Sequence, residues 1–107
     1  MIEDFLKKIF SILIAIMFTT ELFADDKKNL GLEVYNSKAM CGTCHTLEAA
    51  GSAGDIGPNL DQLKASMDQI IYVVTNGIGV MQAWDGILTS EEIEAVAHYV
   101  FNSTKNN

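Results

Sequence analysis

Apolar positions along this chain repeat with a helical period wherever the repeat is clear. In "LTSEEIEAVAHYVF", residues 88–101, Ile93, Val96, Ala97, Val100 and Phe101 follow the i, i+3, i+4, i+7, i+8 spacing of one buried face. Thr89 stands as N-cap with Glu92 three residues on, a capping box, and Leu88 and Ile93 are placed for a hydrophobic staple. A second helix is expected to begin after Ser66, with Gln69 completing another capping box, and to bury Ile70, Val73 and Val74. It should stop at Asn76-Gly77 with the glycine in the left-handed region. The run "IIYVV" inside it has strand character, but the caps decide for a helix. A third helix is expected over 29–38 with Gly31, Val34 and Tyr35 on one side, and a short turn or helix after Asn59. No segment reads as a convincing strand. Two glycine-rich loops remain, "EAAGSAGDIGPN" and "GIGVMQAWDGIL", holding the single proline and the single tryptophan. The pattern predicts an all-α domain whose two loops wrap something.

The first 24 residues read differently. Lys7 and Lys8 precede an apolar run from Ile9 to Phe18, and Ala24 precedes the charged "DDKKN". That is the order of a secretory signal peptide, here residues 1–24, with residues 25–107 as the exported domain. The run is short of the roughly 20 apolar residues that cross a bilayer, and Glu21 interrupts its far end. Glu3 and Asp4 dilute the basic start and Leu22 is bulky for a cleavage site, so an uncleaved anchor is the alternative. No cysteine follows the run, which argues against a lipid anchor there. The expectation is a periplasmic protein with no stable membrane insertion after cleavage.

From Asp25 onward the chain has five Lys, no Arg and eleven acidic residues, a formal charge of −6. Such a surface repels nucleic acid and anionic membranes as partners. It suits a protein steered to a basic docking surface, or one that is simply well solvated. A domain this small buries a modest core and gains from a staple or cofactor.

Both cysteines lie in "KAMCGTCHTL", at Cys41 and Cys44, with His45 directly behind. On a helical turn all three project from one side. Two thiols can then add to the vinyl groups of a flat macrocycle while the imidazole reaches its iron, and C-x-x-C-H is the attachment pattern of a c-type haem. A thioredoxin-like dithiol would sit near a βαβ pattern and leaves His45 without a role. A zinc site could draw on Cys41, Cys44, His45 and His98, but zinc-finger histidines come from a separate element after a spacer. Haem is the reading that uses all three residues, with the other two as rivals.

A low-spin haem iron needs a second axial ligand, and methionine opposite histidine raises the reduction potential. Met40 adjoins Cys41 and cannot easily circle the ring, and Met67 opens a helix, where methionine is usually core filler. Met81 lies in "GIGVMQAW", with Gly77 and Gly79 allowing the backbone a close approach. Met81 is therefore the candidate, the alternative being a loop methionine tucked into the core. His98 points away from the apolar stripe and is assigned no role.

These residues together resemble the class I c-type cytochromes, monohaem and periplasmic. Gly31-x-x-x-Tyr35 resembles that family's first-helix glycine and aromatic, and Tyr99 its packing partner on the last helix. "GPNL" resembles the loop whose proline, here Pro58, offers its carbonyl to the His45 ring, with Leu60 near the haem edge. "GVMQAW" resembles the methionine loop, although many relatives have proline where Gln82 stands. Tyr35 is also two residues further from Cys41 than the pattern leads one to expect. The resemblance implies a small cytochrome c fold, three to five helices wrapped around one covalently attached haem c, held by Cys41 and Cys44. His45 and Met81 would be its axial iron ligands.

Residues "GDIGPNL" and "GVMQAWDGILTSEEIEAVAHYVFNSTK" are further similar to the cytochrome subunits that accept electrons from molybdenum sulfite dehydrogenases. The function implied is single-electron transfer, from a dehydrogenase to a terminal oxidase or peroxidase, not catalysis. Two rivals remain: a haem protein whose labile Met81 yields to a small ligand, and a haem-free dithiol oxidoreductase.

Overall fold

The computed structural model describes residues 1–105, apart from the side chains of 18–22; the readings placed on Phe18, Glu21 and Leu22 fall outside the described residues. Four α-helices organise the described residues: α1 (Ile2–Glu33), α2 (Leu60–Leu63), α3 (Met67–Asn76) and α4 (Ser90–Thr104). A two-residue antiparallel pair, β1 (Thr46–Leu47) with β2 (Ser52–Ala53), ties the first glycine-rich loop to itself. This pair corrects the expectation of no strands. It is too short to carry an alternating pattern, which is the only signal a half-buried strand leaves in sequence.

The two capping boxes are formed as read. Thr89 accepts from the Glu92 N–H at 3.1 Å while the Glu92 carboxylate accepts from the Thr89 N–H at 3.0 Å, and Ser66 and Gln69 do the same for α3. Asn59 caps α2 through its side-chain oxygen, which accepts from Asp61 N–H at 2.9 Å and Gln62 N–H at 3.3 Å. Each cap satisfies main-chain donors that the first helical turn leaves without partners.

The helix expected over 29–38 is longer at one end and different at the other. With no glycine or proline before Gly31, nothing interrupts the helical run from Ile2, so α1 starts there. At Val34 the turn widens to a π-turn, Val34–Lys38, closed by Ala39 N–H donating to Val34 O at 2.9 Å. The N-terminal half of α1 exposes Phe5, Phe10, Leu13 and Ile16 to solvent, and packing against the domain begins near Leu30. Among the described residues no helix is long and apolar enough to cross a membrane.

The core forms where α1 crosses α4. A Cβ on Gly31 would overlap the Ala95 carbonyl and lie 2.7 Å from Tyr99 Cβ, so only glycine lets the two backbones meet so closely. One turn on, the fully buried Tyr35 ring packs on Tyr99 with centroids 5.9 Å apart and planes tilted by 59°. On α4 the buried stripe includes Ala95, Tyr99 and Thr104 as well as Ile93, Val96 and Val100, whereas Phe101 is only half-buried. The stripe is rotated toward α1, the larger partner. On α3, Ile70, Val73 and Val74 are half-buried rather than buried. Two ion pairs brace the crossing from outside, Lys27 with Glu94 at 2.7 Å and Lys38 with Glu92 at 2.6 Å.

Candidate functional site

The cysteine segment follows directly from the π-turn. Met40 adopts a left-handed conformation (φ 51°, ψ 45°), which turns the chain out of the helical core and starts a 3-10 turn over Cys41–Thr43. Cys44 N–H and His45 N–H both donate to Cys41 O, at 3.1 and 3.0 Å. Cys41, Cys44 and His45 are thereby one turn apart on a single tight unit, as the spacing predicts, and all three are half-buried.

His45 is held through its ring. Nδ1 lies 2.7 Å from the Pro58 carbonyl oxygen. A carbonyl only accepts, so Nδ1 carries the proton, and in the neutral ring the lone pair is then on Nε2. The loop that supplies Pro58 is itself bonded to the cysteine turn: Gly57 N–H donates to Cys44 O at 2.7 Å, and Thr46 Oγ1–H donates to Gly54 O at 2.9 Å.

Two glycines make this approach possible, and the sequence reading gave neither a role. A Cβ at Gly57 would lie 2.6 Å from His45 Cε1 and 2.9 Å from Nδ1. At Gly54 it would lie 2.6 Å from the Cys44 carbonyl carbon and 2.7 Å from His45 N. The signal was present in the glycines of "GSAGDIGPN", but which glycine faces the ring is a matter of long-range contact.

The second loop carries Met81. Ile78 N–H donates to Met81 O at 3.1 Å and Met81 N–H to Ile78 O at 2.9 Å, closing a two-residue turn over Gly79 and Val80. Gly77 has φ 72° and ψ 168°, an extended conformation at positive φ that is essentially glycine's alone, rather than the left-handed cap expected from sequence. A Cβ there would lie 2.6 Å from Met81 O. Beyond the turn, Trp84 N–H donates to Val74 O at 2.9 Å, which pins the loop back on α3. Met81 is half-buried. Leu60 opens α2 and packs half-buried against the core.

The chemistry of this donor set fits a c-type haem. It comprises two thiols on one turn, an imidazole with a fixed tautomer, a thioether on a glycine-shaped loop, and apolar Ile56, Ile78, Val80 and Ile87 exposed on the two loops. Large apolar side chains exposed on both loops suit a flat apolar ligand better than water. It fits the rivals poorly. Burial pushes the Cys41 thiol up to about 11, opposite to the lowered values that make a dithiol reactive. Among the described residues, no three His, Cys, Asp or Glu side chains are grouped to hold a metal ion such as zinc. His98 sits 3.7 Å from Glu94 on the outer side of α4.

Comparison with known proteins gives the same answer independently. Residues 26–100 match the family described as cytochrome C oxidase, cbb3-type, subunit III. The chain is 34% identical over 88 residues to cytochrome c6 of Chlorolobion braunii, covering 73% of this chain and 92% of that protein. It is 35% identical over 89 residues to cytochrome c6 of Tetradesmus obliquus, covering 74% and 96%. Among solved structures it is similar to the c-type cytochrome SorU from Sinorhizobium meliloti, at 49% identity and a TM-score of 0.69, covering 75% of this chain and 93% of that one.

Proposed function

Because the chain belongs to the class I monohaem c-type cytochromes, we propose that it carries single electrons from a sulfite dehydrogenase to a terminal oxidase or peroxidase in the periplasm. Its cofactor is one covalently attached haem c, and it is an electron-transfer protein rather than an enzyme. In this reading Cys41 and Cys44 would hold the group as thioethers, and His45 Nε2 and the Met81 thioether would be the iron ligands. Once bound, haem c would supply a one-electron couple.

The observation that carries the reading is the 2.7 Å contact between His45 Nδ1 and Pro58 O. It fixes which ring nitrogen is free, orients the ring and raises its basicity, and it does so beside the turn that carries both thiols. Cleavage after Ala24 belongs to the proposal. It would remove residues 2–24 of α1, the solvent-exposed apolar half included, and leave Lys27, with its partner Glu94, near the new terminus. The similarity of "GDIGPNL" and of the methionine loop to sulfite dehydrogenase cytochrome subunits supports the donor, and the 49% identity to the c-type cytochrome SorU supports the carrier role. The acidic surface supports docking to a basic face on the partner.

The test is stopped-flow mixing of the oxidised protein with a sulfite dehydrogenase and sulfite. Rapid reduction whose second-order rate falls as salt rises is expected. A protein that ascorbate reduces and the dehydrogenase does not would remove this donor from the account.

A further inference from the structure

We propose that Ser52 is a positioning residue for His45: its hydroxyl ties the His45 main chain to the buried Tyr35 and so helps set the reduction potential. The inference rests on the reading of His45 as an iron ligand.

The hydroxyl of Ser52, on β2, has four polar neighbours. Tyr35 Oη lies at 2.9 Å, Leu47 N at 3.0 Å, His45 O at 3.0 Å and Leu47 O at 3.4 Å. A serine hydroxyl has one proton and two lone pairs. Leu47 N–H can only donate and takes one lone pair. The carbonyls can only accept, and the nearer one, His45 O, takes the proton. The remaining lone pair must then accept the Tyr35 O–H. The direction of the whole chain is thus fixed, from Tyr35 through Ser52 to the His45 carbonyl.

Tyr35 is a suitable anchor because its side chain is fully buried and packed on Tyr99. Gly42 leaves room for the link, since a Cβ there would lie 2.7 Å from Ser52 Cβ. The bonds on either side restrain Cys44 through Gly57 and Thr46 through Gly54. Ser52 restrains the residue between them, whose ring must reach Pro58. Loss of the Ser52 hydroxyl frees the His45 main chain, loss of the Tyr35 hydroxyl unties Ser52 from its anchor, and either weakens the Nδ1–Pro58 bond. The imidazole becomes a poorer donor and the potential moves upward.

The test compares holoprotein carrying Ser52→Ala, Tyr35→Phe and both. It reads the reduction potential by spectroelectrochemical titration and His45 Nδ1–H exchange by NMR in the reduced state. Expected are a raised potential and exchange about three- to tenfold faster in each single variant, in line with the loss of one ordinary hydrogen bond. The double variant should add little to Ser52→Ala, as for members of one chain. A lower urea midpoint with unchanged potential and unchanged exchange would make Ser52 merely structural and overturn the proposal. If Ser52→Ala does not accumulate as holoprotein, Tyr35→Phe decides on the same two readouts, with no shift counting against it. Failure of the ligand reading itself shows separately, as a wild-type protein with no axially bound histidine.

Discussion

The two glycine-rich loops hold their key residues by different means. The first grips His45 through its ring, by Pro58 at 2.7 Å, and through its backbone, by Ser52 at 3.0 Å. The second holds Met81 by a reciprocal backbone pair with Ile78, beside a Val80 that is 91% exposed. The contrast follows from the side chains. An imidazole has two nitrogens, so one can be anchored while the other stays free. A thioether is a weak acceptor with no second handle. Its placement depends on backbone geometry, here on Gly77. The first loop is therefore preorganised by hydrogen bonds, and the second by what a glycine permits.

Removing the covalent staple should have the largest effect. Cys41→Ala or Cys44→Ala is expected to yield little folded protein when haem content and soluble yield are measured after export; a normally folded, haem-free variant would contradict this. Next comes Gly57→Ala, whose methyl would meet the His45 ring at 2.6 Å. Overpacking of this kind costs about 1–3 kcal/mol, to be read from the denaturant midpoint, and should also shift the potential. Gly77→Ala breaks the other side of the comparison. A cost of about 1–3 kcal/mol is expected for a side chain forced into that backbone conformation, with faster carbon monoxide or cyanide binding as Met81 loosens. If Gly77→Ala altered the His45 signals and Gly57→Ala altered ligand binding instead, the division of labour between the loops would be wrong.

The smallest effect concerns neither loop. The Lys38 ammonium, and after it the Thr89 backbone N–H, hold the Glu92 carboxyl below its ordinary value of 4.5. A lowered carboxyl pKa contributes stability above the ordinary carboxylate range that is lost as pH falls through the folded value. Lys38→Met should therefore flatten the acid limb of the stability profile, and added salt should shrink the difference because Lys38 is open to solvent. A steeper acid limb in Lys38→Met would contradict the assignment.

What could be read from the sequence was local. The caps at Ser66 and Thr89 involve residues three apart, and Cys41, Cys44 and His45 share one turn, so spacing alone reveals them. The Pro58 contact came from resemblance, since thirteen positions separate it from His45 and no periodicity links the two. The β1–β2 pair, the Ser52 hydroxyl and the role of Gly57 were hidden because each depends on how a loop folds over the attachment turn. Gly77 was legible as a helix stop but not in its ψ, which the return of the chain to Trp84 decides.

The central claim, that His45 and Met81 together fill the axial positions, is tested most directly by absorption spectra of the exported holoprotein and of Met81→Ala. The account predicts a sharp low-spin reduced spectrum and, in the oxidised form, a weak sulfur-to-iron band that Met81→Ala abolishes. A high-spin wild-type spectrum, or a band that survives Met81→Ala, would contradict it and make ligand binding at an open iron the leading function.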